Sequence, residues 1–114
     1  MLTTTIKYGV ALHSIKHTTV KNKNLIVHHG LMGSSKNFRS ISKSTPVSSH
    51  CDTYLIDARN HGESPHTVTH TISDLADDLL EYIRTNNLGR RLTLMGHSMG
   101  GLALMEFTKR HCSS

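Results

Sequence analysis

Apolar residues follow two different spacings along the chain, and these spacings separate predicted strands from predicted helices. Short, nearly unbroken apolar runs occur at residues 24–30, 52–59 and 91–95, as is typical of strands buried on both faces of a parallel sheet. From Ile72 to about Arg84, apolar residues recur every three or four positions, which predicts an amphipathic helix. The chain therefore alternates between strand and helix.

Weaker patterns fill the rest of the chain. Residues 8–20 alternate with a period near two and predict a hairpin or a pair of edge strands. Ser34 and Ser35 are good N-caps for a helix over residues 36–44, and another helix is predicted from 98 to about 111. Together these elements predict an α/β fold with a parallel sheet and right-handed crossovers.

Composition narrows the class of protein. The 114 residues suit one domain, and the formal charge of +5 is unevenly spread. Residues 1–51 hold seven Lys and Arg and no acid, whereas residues 52–114 hold six against eight acids. The basic residues are dispersed and lack interleaved aromatics, so we expect a solvated basic face rather than a nucleic-acid partner.

Cysteine and histidine positions exclude several kinds of site. Cys51 and Cys112 have no neighbouring thiol, and the ten histidines match no zinc spacing, so no metal and no cofactor are expected. No apolar run approaches the roughly 20 residues that span a bilayer, and none near the start suits a signal peptide. We therefore expect no transmembrane segment and no secretion.

The segment LTLMGHSMGG, residues 92–101, holds Ser98 between Gly96 and Gly100 where a predicted strand meets a predicted helix. In so sharp a turn the central residue is strained, and side chains two positions away would collide with neighbouring segments. Glycines remove those collisions and leave the hydroxyl exposed beside the N-terminal N–H groups of the helix. The pattern predicts a serine nucleophile; the alternative is a tight turn without chemistry.

An acyl-transfer nucleophile also needs donors for the oxyanion that develops on its substrate. One N–H comes from the residue after the serine, here Met99, and the other from a loop with a His-Gly sequence after an early strand. The segment HHGLMG supplies that loop and nominates the N–H of Leu31. We expect His29, beside Gly30, to support the loop by hydrogen bonding and the side chain of His97 to turn into the protein.

Three segments carry a family resemblance: HHGLMGSSKNF, DARNHGESPH and GHSMGG, in this order and spacing. They resemble the α/β-hydrolase superfamily, and most of all the group of α/β-hydrolase domain-containing protein 11 and related bacterial esterases. The resemblance implies hydrolysis of an ester or thioester by Ser98, with Leu31 and Met99 at the oxyanion positions. It also implies a mitochondrial location, with the cytoplasm as the alternative.

The rest of a catalytic triad is not found in this chain. In this fold the acid and the histidine follow the serine, yet only sixteen residues follow Ser98. Glu106 and His111 lie on the helix that begins at the serine, and the rise of that helix places them too far from Ser98 to complete a triad. Residues 1–114 are therefore predicted to be the N-terminal part of a single hydrolase domain, truncated after the nucleophile helix and without a second domain.

Two consequences follow from this interpretation. The strand at residues 91–95 should present an unpaired apolar edge, which favours oligomerisation or pairing with a missing C-terminal half. The function is then either that of a serine hydrolase completed by further sequence, or that of a non-catalytic fragment that binds a ligand or partner. In either case we expect Asp57 and Arg59 to fix their loop rather than to contact substrate.

Overall fold

The structure of the chain, a computed structural model, describes residues 9–19, 23–89 and 91–111. Within them one sheet contains four strands: β1 (Ser14–His17), β2 (Asn24–His28), β3 (Asp52–Ile56) and β4 (Leu92–Gly96). The strand order is β1-β3-β2-β4, with β2 parallel to both β3 and β4. The α/β fold is confirmed, but the sheet is mixed rather than wholly parallel, because β1 runs antiparallel to β3.

Of the two alternatives predicted for residues 8–20, the hairpin is wrong for the described part of this segment, and one edge strand, β1, is present there instead of a pair. Ser14 pairs with Ile56 and His17 with Thr53, so the alternating residues form an edge strand on β3 instead of pairing with each other. Residues 8 and 20 lie outside the described residues.

The helices are a 3-10 turn (Ser35–Phe38), α1 (Arg39–Lys43), α2 (Thr45–Ser48), α3 (Ile72–Thr85) and α4 (Met99–His111). Ser34 is the N-cap of the 3-10 turn, and its hydroxyl accepts the N–H of Lys36. The single helix predicted over residues 36–44 is instead the 3-10 turn followed by α1. Ser44 ends α1 because its backbone is extended, and Pro46 lies in the first turn of α2.

The apolar stripe of α3 packs on the sheet and on α4. Leu79 and Ile83 join Ile26 and Ile56 of the sheet and Phe107 of α4 in one buried cluster. A second cluster lies nearer the carboxyl ends of the strands and consists of Ala58, Leu75, Met99 and Ala103. Because Met99 is the first residue of α4, this cluster holds the start of that helix, and with it Ser98, against α3.

The strand β4 lies at one edge of the described sheet, where β2 is its only partner. Met95 on β4 and Leu102 and Met105 on α4 are exposed beside this edge. Within the described residues, no helix combines the length and the apolar composition needed to cross a membrane.

Candidate active site

Ser98 occupies the corner between β4 and α4. Its φ angle is +54°, a left-handed conformation that costs a non-glycine residue about 1–2 kcal/mol. The residue is exposed, and its hydroxyl makes no hydrogen bond to another described residue. The corner therefore holds a strained serine with a free hydroxyl at the carboxyl end of the sheet.

Close backbone approaches explain the glycines on both sides of Ser98. A Cβ atom on Gly96 would lie 2.6 Å from the carbonyl carbon of Gly100. A Cβ atom on Gly100 would collide with the carbonyl oxygen of His28 and lie 2.7 Å from that of His29. No side chain fits at either position, so α4 can pack directly on the end of β2.

The loop after β2 approaches the same corner. Gly30 and Gly33 close a tight turn, because the N–H of Gly33 donates to the carbonyl of Gly30 at 3.0 Å. A Cβ atom on Gly30 would lie 2.8 Å from Nδ1 of His97 and 3.3 Å from Cβ of Ser98. Gly30 thus allows the loop to lie directly against the serine.

Two backbone N–H groups beside Ser98 are available to a ligand. Within the described part of the chain, neither the N–H of Leu31 nor that of Met99 donates a hydrogen bond. Met99 is the first residue of α4, where helix N–H groups lack intrahelical partners and the helix dipole favours negative charge. Such an arrangement can bind an oxyanion formed on a carbonyl attacked by the serine.

His29 supports the loop with both of its ring nitrogens. Its Nε2 accepts the N–H of Ala58 at 3.0 Å, so its Nδ1 carries the proton and donates to the carbonyl of Gly30 at 2.7 Å. Burial lowers the pKa of His29, outweighing the bond to Gly30 that raises it. The ring is therefore neutral near pH 7, with no nitrogen free to carry a proton for catalysis.

An open cleft of about 430 Å³ lies in front of Ser98. Its lining residues are Gly30, Leu31, Met32, Gly33, Asn37, Phe38, His97 and Ser98. The prediction that His97 turns into the protein is wrong, since its side chain is exposed and contributes to this cleft. His97 is the first residue after β4, so its side chain follows the turn of the backbone into the corner instead of continuing the alternation of the strand.

Met32, Asn37 and Phe38 were not predicted as cleft residues, because nothing in their local pattern indicates which way the loop folds back. The contact between the loop and His61, whose Nε2 accepts the N–H of Met32 at 3.1 Å, was not predicted either. The flanking Asn60 and Gly62 were an available signal. Both residue types tolerate positive φ, which here is +65° and +50° and turns the chain tightly around His61.

Asp57 fixes the loop after β3, in line with the structural role expected for it. Its carboxylate accepts the N–H of Ser35 at 2.6 Å, the N–H of Glu63 at 3.2 Å and a bond from Nδ1 of His13 at 2.7 Å. Burial alone raises the pKa of Asp57, but these hydrogen bonds outweigh it and lower the pKa below its ordinary value. The carboxylate thus accepts three hydrogen bonds from other parts of the chain, which fix the loop.

Arg59 is held by a buried ion pair. Its Nε and Nη2 each donate to the carboxylate of Asp78 at 2.7 Å, and the N–H of Val10 donates to the same carboxylate at 2.9 Å. Arg59 and Asp78 are 3% and 1% exposed. This pair ties the loop after β3 to α3 and to the segment before β1, and it lies away from the cleft.

Among the described residues, no acidic or histidine side chain forms a hydrogen bond with the Ser98 hydroxyl, although the ring of His97 lines the same cleft. Glu106 pairs with Arg110 at 3.2 Å on the surface of α4, and the ring of His111 packs on Phe107 at 5.1 Å. No group of three metal-ligating side chains occurs within the described ranges. The corner therefore exposes a hydroxyl and two backbone N–H groups to the cleft, without a described side chain hydrogen-bonded to the hydroxyl.

Comparison with known proteins identifies the family of this arrangement. Residues 23–114 match the model of the alpha/beta hydrolase fold. The chain belongs to the α/β-hydrolase family. The family predicted from the three sequence segments is therefore confirmed.

Individual relatives cover most of this chain. The sn-1-specific diacylglycerol lipase ABHD11 of Danio rerio is 42% identical over 81 residues, which make up 71% of this chain and 25% of the lipase. Ethanol acetyltransferase 1 of Cyberlindnera fabianii is 34% identical over 107 residues, or 89% of this chain and 32% of the transferase.

Solved structures agree with the sequence relatives. A marine microorganism esterase superposes with a TM-score of 0.83 and 39% sequence identity, and the match covers 90% of this chain and 38% of the esterase. The chain thus spans about a quarter to two fifths of the length of the proteins it resembles here.

Proposed function

We propose that the chain carries the nucleophile and the oxyanion site of a serine hydrolase that acts on a carboxylic ester or thioester. The observation that carries this proposal is the corner itself. Ser98 has a strained backbone, with φ +54°, and its exposed hydroxyl forms no hydrogen bond with a described residue. It lies in an open cleft beside the N–H groups of Leu31 and Met99, which donate no hydrogen bond within the described residues. The hydrolase and esterase class of its relatives supports the same assignment.

In this reaction the Ser98 oxygen attacks the acyl carbonyl carbon while a histidine base takes the hydroxyl proton. The carbonyl oxygen becomes an oxyanion that accepts the N–H groups of Leu31 and Met99. The alcohol or thiol leaves with the proton, and water then releases the acid from the acyl-enzyme. Loss of one oxyanion donor typically slows such a reaction by about 100- to 1000-fold.

We propose that the histidine base and its orienting acid come from sequence outside this chain. The greater length of the relatives and the unpaired edge of β4 support this, because a further strand can join the sheet there. Residues 1–114 then form the N-terminal part of one domain. A mitochondrial or cytoplasmic location stays a prediction.

The names of these relatives support the proposed substrate class, because each names a reaction that moves an acyl group. A diacylglycerol lipase and an esterase pass an acyl group to water, and an alcohol acetyltransferase passes one to an alcohol. The cleft is partly apolar, with Leu31 and Phe38 in its lining, and suits the acyl part of a small ester. We expect no metal or cofactor to take part.

A chimaera tests this proposal directly. In it, this chain replaces the matching segment of the 39% identical marine esterase, which supplies the later strands. We expect a fluorophosphonate probe to label the folded chimaera at Ser98, and Ser98→Ala to abolish the labelling. Ser40→Ala removes another exposed serine and serves as the matched control, with labelling unchanged. A folded chimaera that remains unlabelled would contradict the proposal.

The isolated chain is proposed to be a non-catalytic fragment. Glu106 is the only acid and His111 the only histidine that follow Ser98 in this sequence. Glu106 pairs with Arg110, and His111 lies at the far end of α4, which supports this proposal. We expect the 114-residue chain alone to show neither labelling nor hydrolysis of p-nitrophenyl acetate. Rapid hydrolysis that Ser98→Ala abolishes would contradict the fragment assignment.

A further inference from the structure

We propose that His61 is a positioning residue for the oxyanion site, which it holds in shape by accepting the backbone N–H of Met32. This role rests on the proposed function, because it concerns the loop that carries the Leu31 donor. His61 itself does not line the cleft and reaches it only through the loop.

The loop is a four-residue turn with an unusual third position. The turn runs from Gly30 to Gly33, and its third residue, Met32, has φ +67°. Positive φ at this position is a feature of type II turns, which normally place glycine there. Methionine has no such freedom, so the conformation must be held by contacts from outside the turn.

His61 contacts the central peptide unit of that turn. The N–H of Met32 belongs to the central peptide unit, whose orientation distinguishes a type II turn from a type I turn. His61 Nε2 accepts this N–H at 3.1 Å. Rotation of the peptide into the type I orientation would break the bond and bring the carbonyl of Leu31 toward the ring nitrogen instead.

The imidazole of His61 is itself fixed in the tautomer that this contact requires. Its Nδ1 donates to the carbonyl of Arg59 at 2.9 Å, which leaves a lone pair on Nε2 for Met32. The ring packs between those of His29 and His70, with centroid distances of 5.1 and 5.5 Å. The buried ion pair of Arg59 with Asp78 fixes the loop from which His61 projects.

Histidines thus hold the turn on two successive peptide units. The carbonyl of Gly30 accepts from His29 Nδ1 and from the N–H of Gly33. Because a trans peptide is planar, the N–H of Leu31 points opposite to that carbonyl, away from the buried ring of His29. The His61 bond then fixes the next peptide, so that the Leu31 donor keeps its orientation beside Ser98.

The contact can be measured in the 114-residue chain by NMR, independently of catalysis. We expect scalar coupling across the N–H···N bond between the Met32 amide and His61 Nε2. His61→Phe keeps an aromatic ring but removes the acceptor, and should speed hydrogen exchange of the Met32 amide by about tenfold, as expected for one lost hydrogen bond. His61→Gln offers an amide oxygen as acceptor and should largely restore protection. No coupling and unchanged exchange in His61→Phe would overturn the proposal.

The effect on the oxyanion site is measured as the rate of fluorophosphonate labelling in the chimaera. We expect His61→Phe to slow labelling of Ser98 by about tenfold, less than the loss of a whole oxyanion donor. Met32→Gly in the His61→Phe background should recover most of the rate, because glycine adopts positive φ without support. His66→Phe changes an exposed histidine on the same loop and should leave the rate unchanged.

The two proposals fail in different ways. Absence of labelling in every variant, with the bond between Met32 and His61 intact by NMR, contradicts the proposed function. Loss of the bond in His61→Phe with an unchanged labelling rate contradicts the positioning role alone. Failure of Met32→Gly to recover the rate also contradicts it, because His61 would then act by a route other than the turn.

Discussion

The backbone N–H of His97 donates a hydrogen bond to the carbonyl oxygen of His28 across 3.0 Å. This bond joins the residue before the serine to the last residue of the adjacent strand. The following residue, His29, holds the loop of residues 30–33 through its ring. The end of β2 therefore positions both Ser98 and the loop that faces it, and the spacing between them depends on the sheet rather than on either loop alone.

Substitution of Gly100 tests this close approach. In Gly100→Ala, the new Cβ meets the carbonyl groups of His28 and His29, so α4 must shift away from β2. We expect the free energy of unfolding to fall by about 1–3 kcal/mol, as for other overpacked interiors, in urea titrations. Gly101→Ala is the matched control: its Cβ would lie 3.6 Å from the Gly96 oxygen, an ordinary contact. Equal stability of the two variants would show that α4 is not packed as described.

Two neighbouring aspartates on α3 allow a buried ion pair to be compared with a surface ion pair. Asp78→Asn removes the charge that pairs with the buried Arg59 at 2.7 Å and leaves only the longer contact of Arg59 with Asp74 at 3.5 Å, so we expect it to cost about 3 kcal/mol of unfolding free energy. Asp77→Asn removes a partly exposed pair with Arg110 at 3.0 Å and should cost less than about 1 kcal/mol. Urea unfolding of both variants measures the difference. Similar losses for the two would contradict the structural role given to Arg59.

The buried ring of His28 predicts a specific pH dependence of stability. Burial lowers the pKa of His28 from 6.5 to about 4, so the unfolded chain binds more protons than the folded one between these values. The contribution of the neutral, buried His28 to the free energy of unfolding is therefore fully present above pH 6.5. It is lost as the pH falls toward 4, and the total loss is about 3 kcal/mol.

His28→Asn removes this titration while keeping a side-chain N–H donor. We expect the difference in unfolding free energy between pH 7 and pH 4.5 to shrink in this variant. The lowered pKa of His29 should preserve part of the difference. His66→Asn, which changes an exposed histidine, should retain the full difference. A pH dependence of His28→Asn equal to that of the unchanged chain would be the opposing result.

Local patterns in the sequence predicted the elements that position the site. The spacing from Ile72 onward identified α3, and the glycines around Ser98 identified the corner between β4 and α4. Both features depend on residues within a few positions of each other: helical periodicity in one case and steric exclusion at a sharp turn in the other. The fold class followed from these elements.

Features that depend on distant partners could not be predicted in the same way. Asp78 follows two other acids in the first half of α3, and local spacing does not distinguish it from them, yet it is a buried partner of Arg59, nineteen residues away. The contact between His61 and Met32 spans twenty-nine positions: Asn60 and Gly62 indicate a tight turn at His61, but no local pattern indicates which residue its ring contacts. The direction of β1 likewise depends on its pairing with β3, which the alternation of its own residues does not specify.

The central claim is that Ser98 attacks a carbonyl whose oxygen is received by the N–H groups of Leu31 and Met99. A crystal structure of the chimaera after reaction with a fluorophosphonate tests it most directly. The account predicts phosphorus bonded to the Ser98 oxygen, and the phosphoryl oxygen about 2.7–3.1 Å from both backbone nitrogens. A phosphoryl oxygen that turns away from both, or phosphorus on a different residue, would contradict the account.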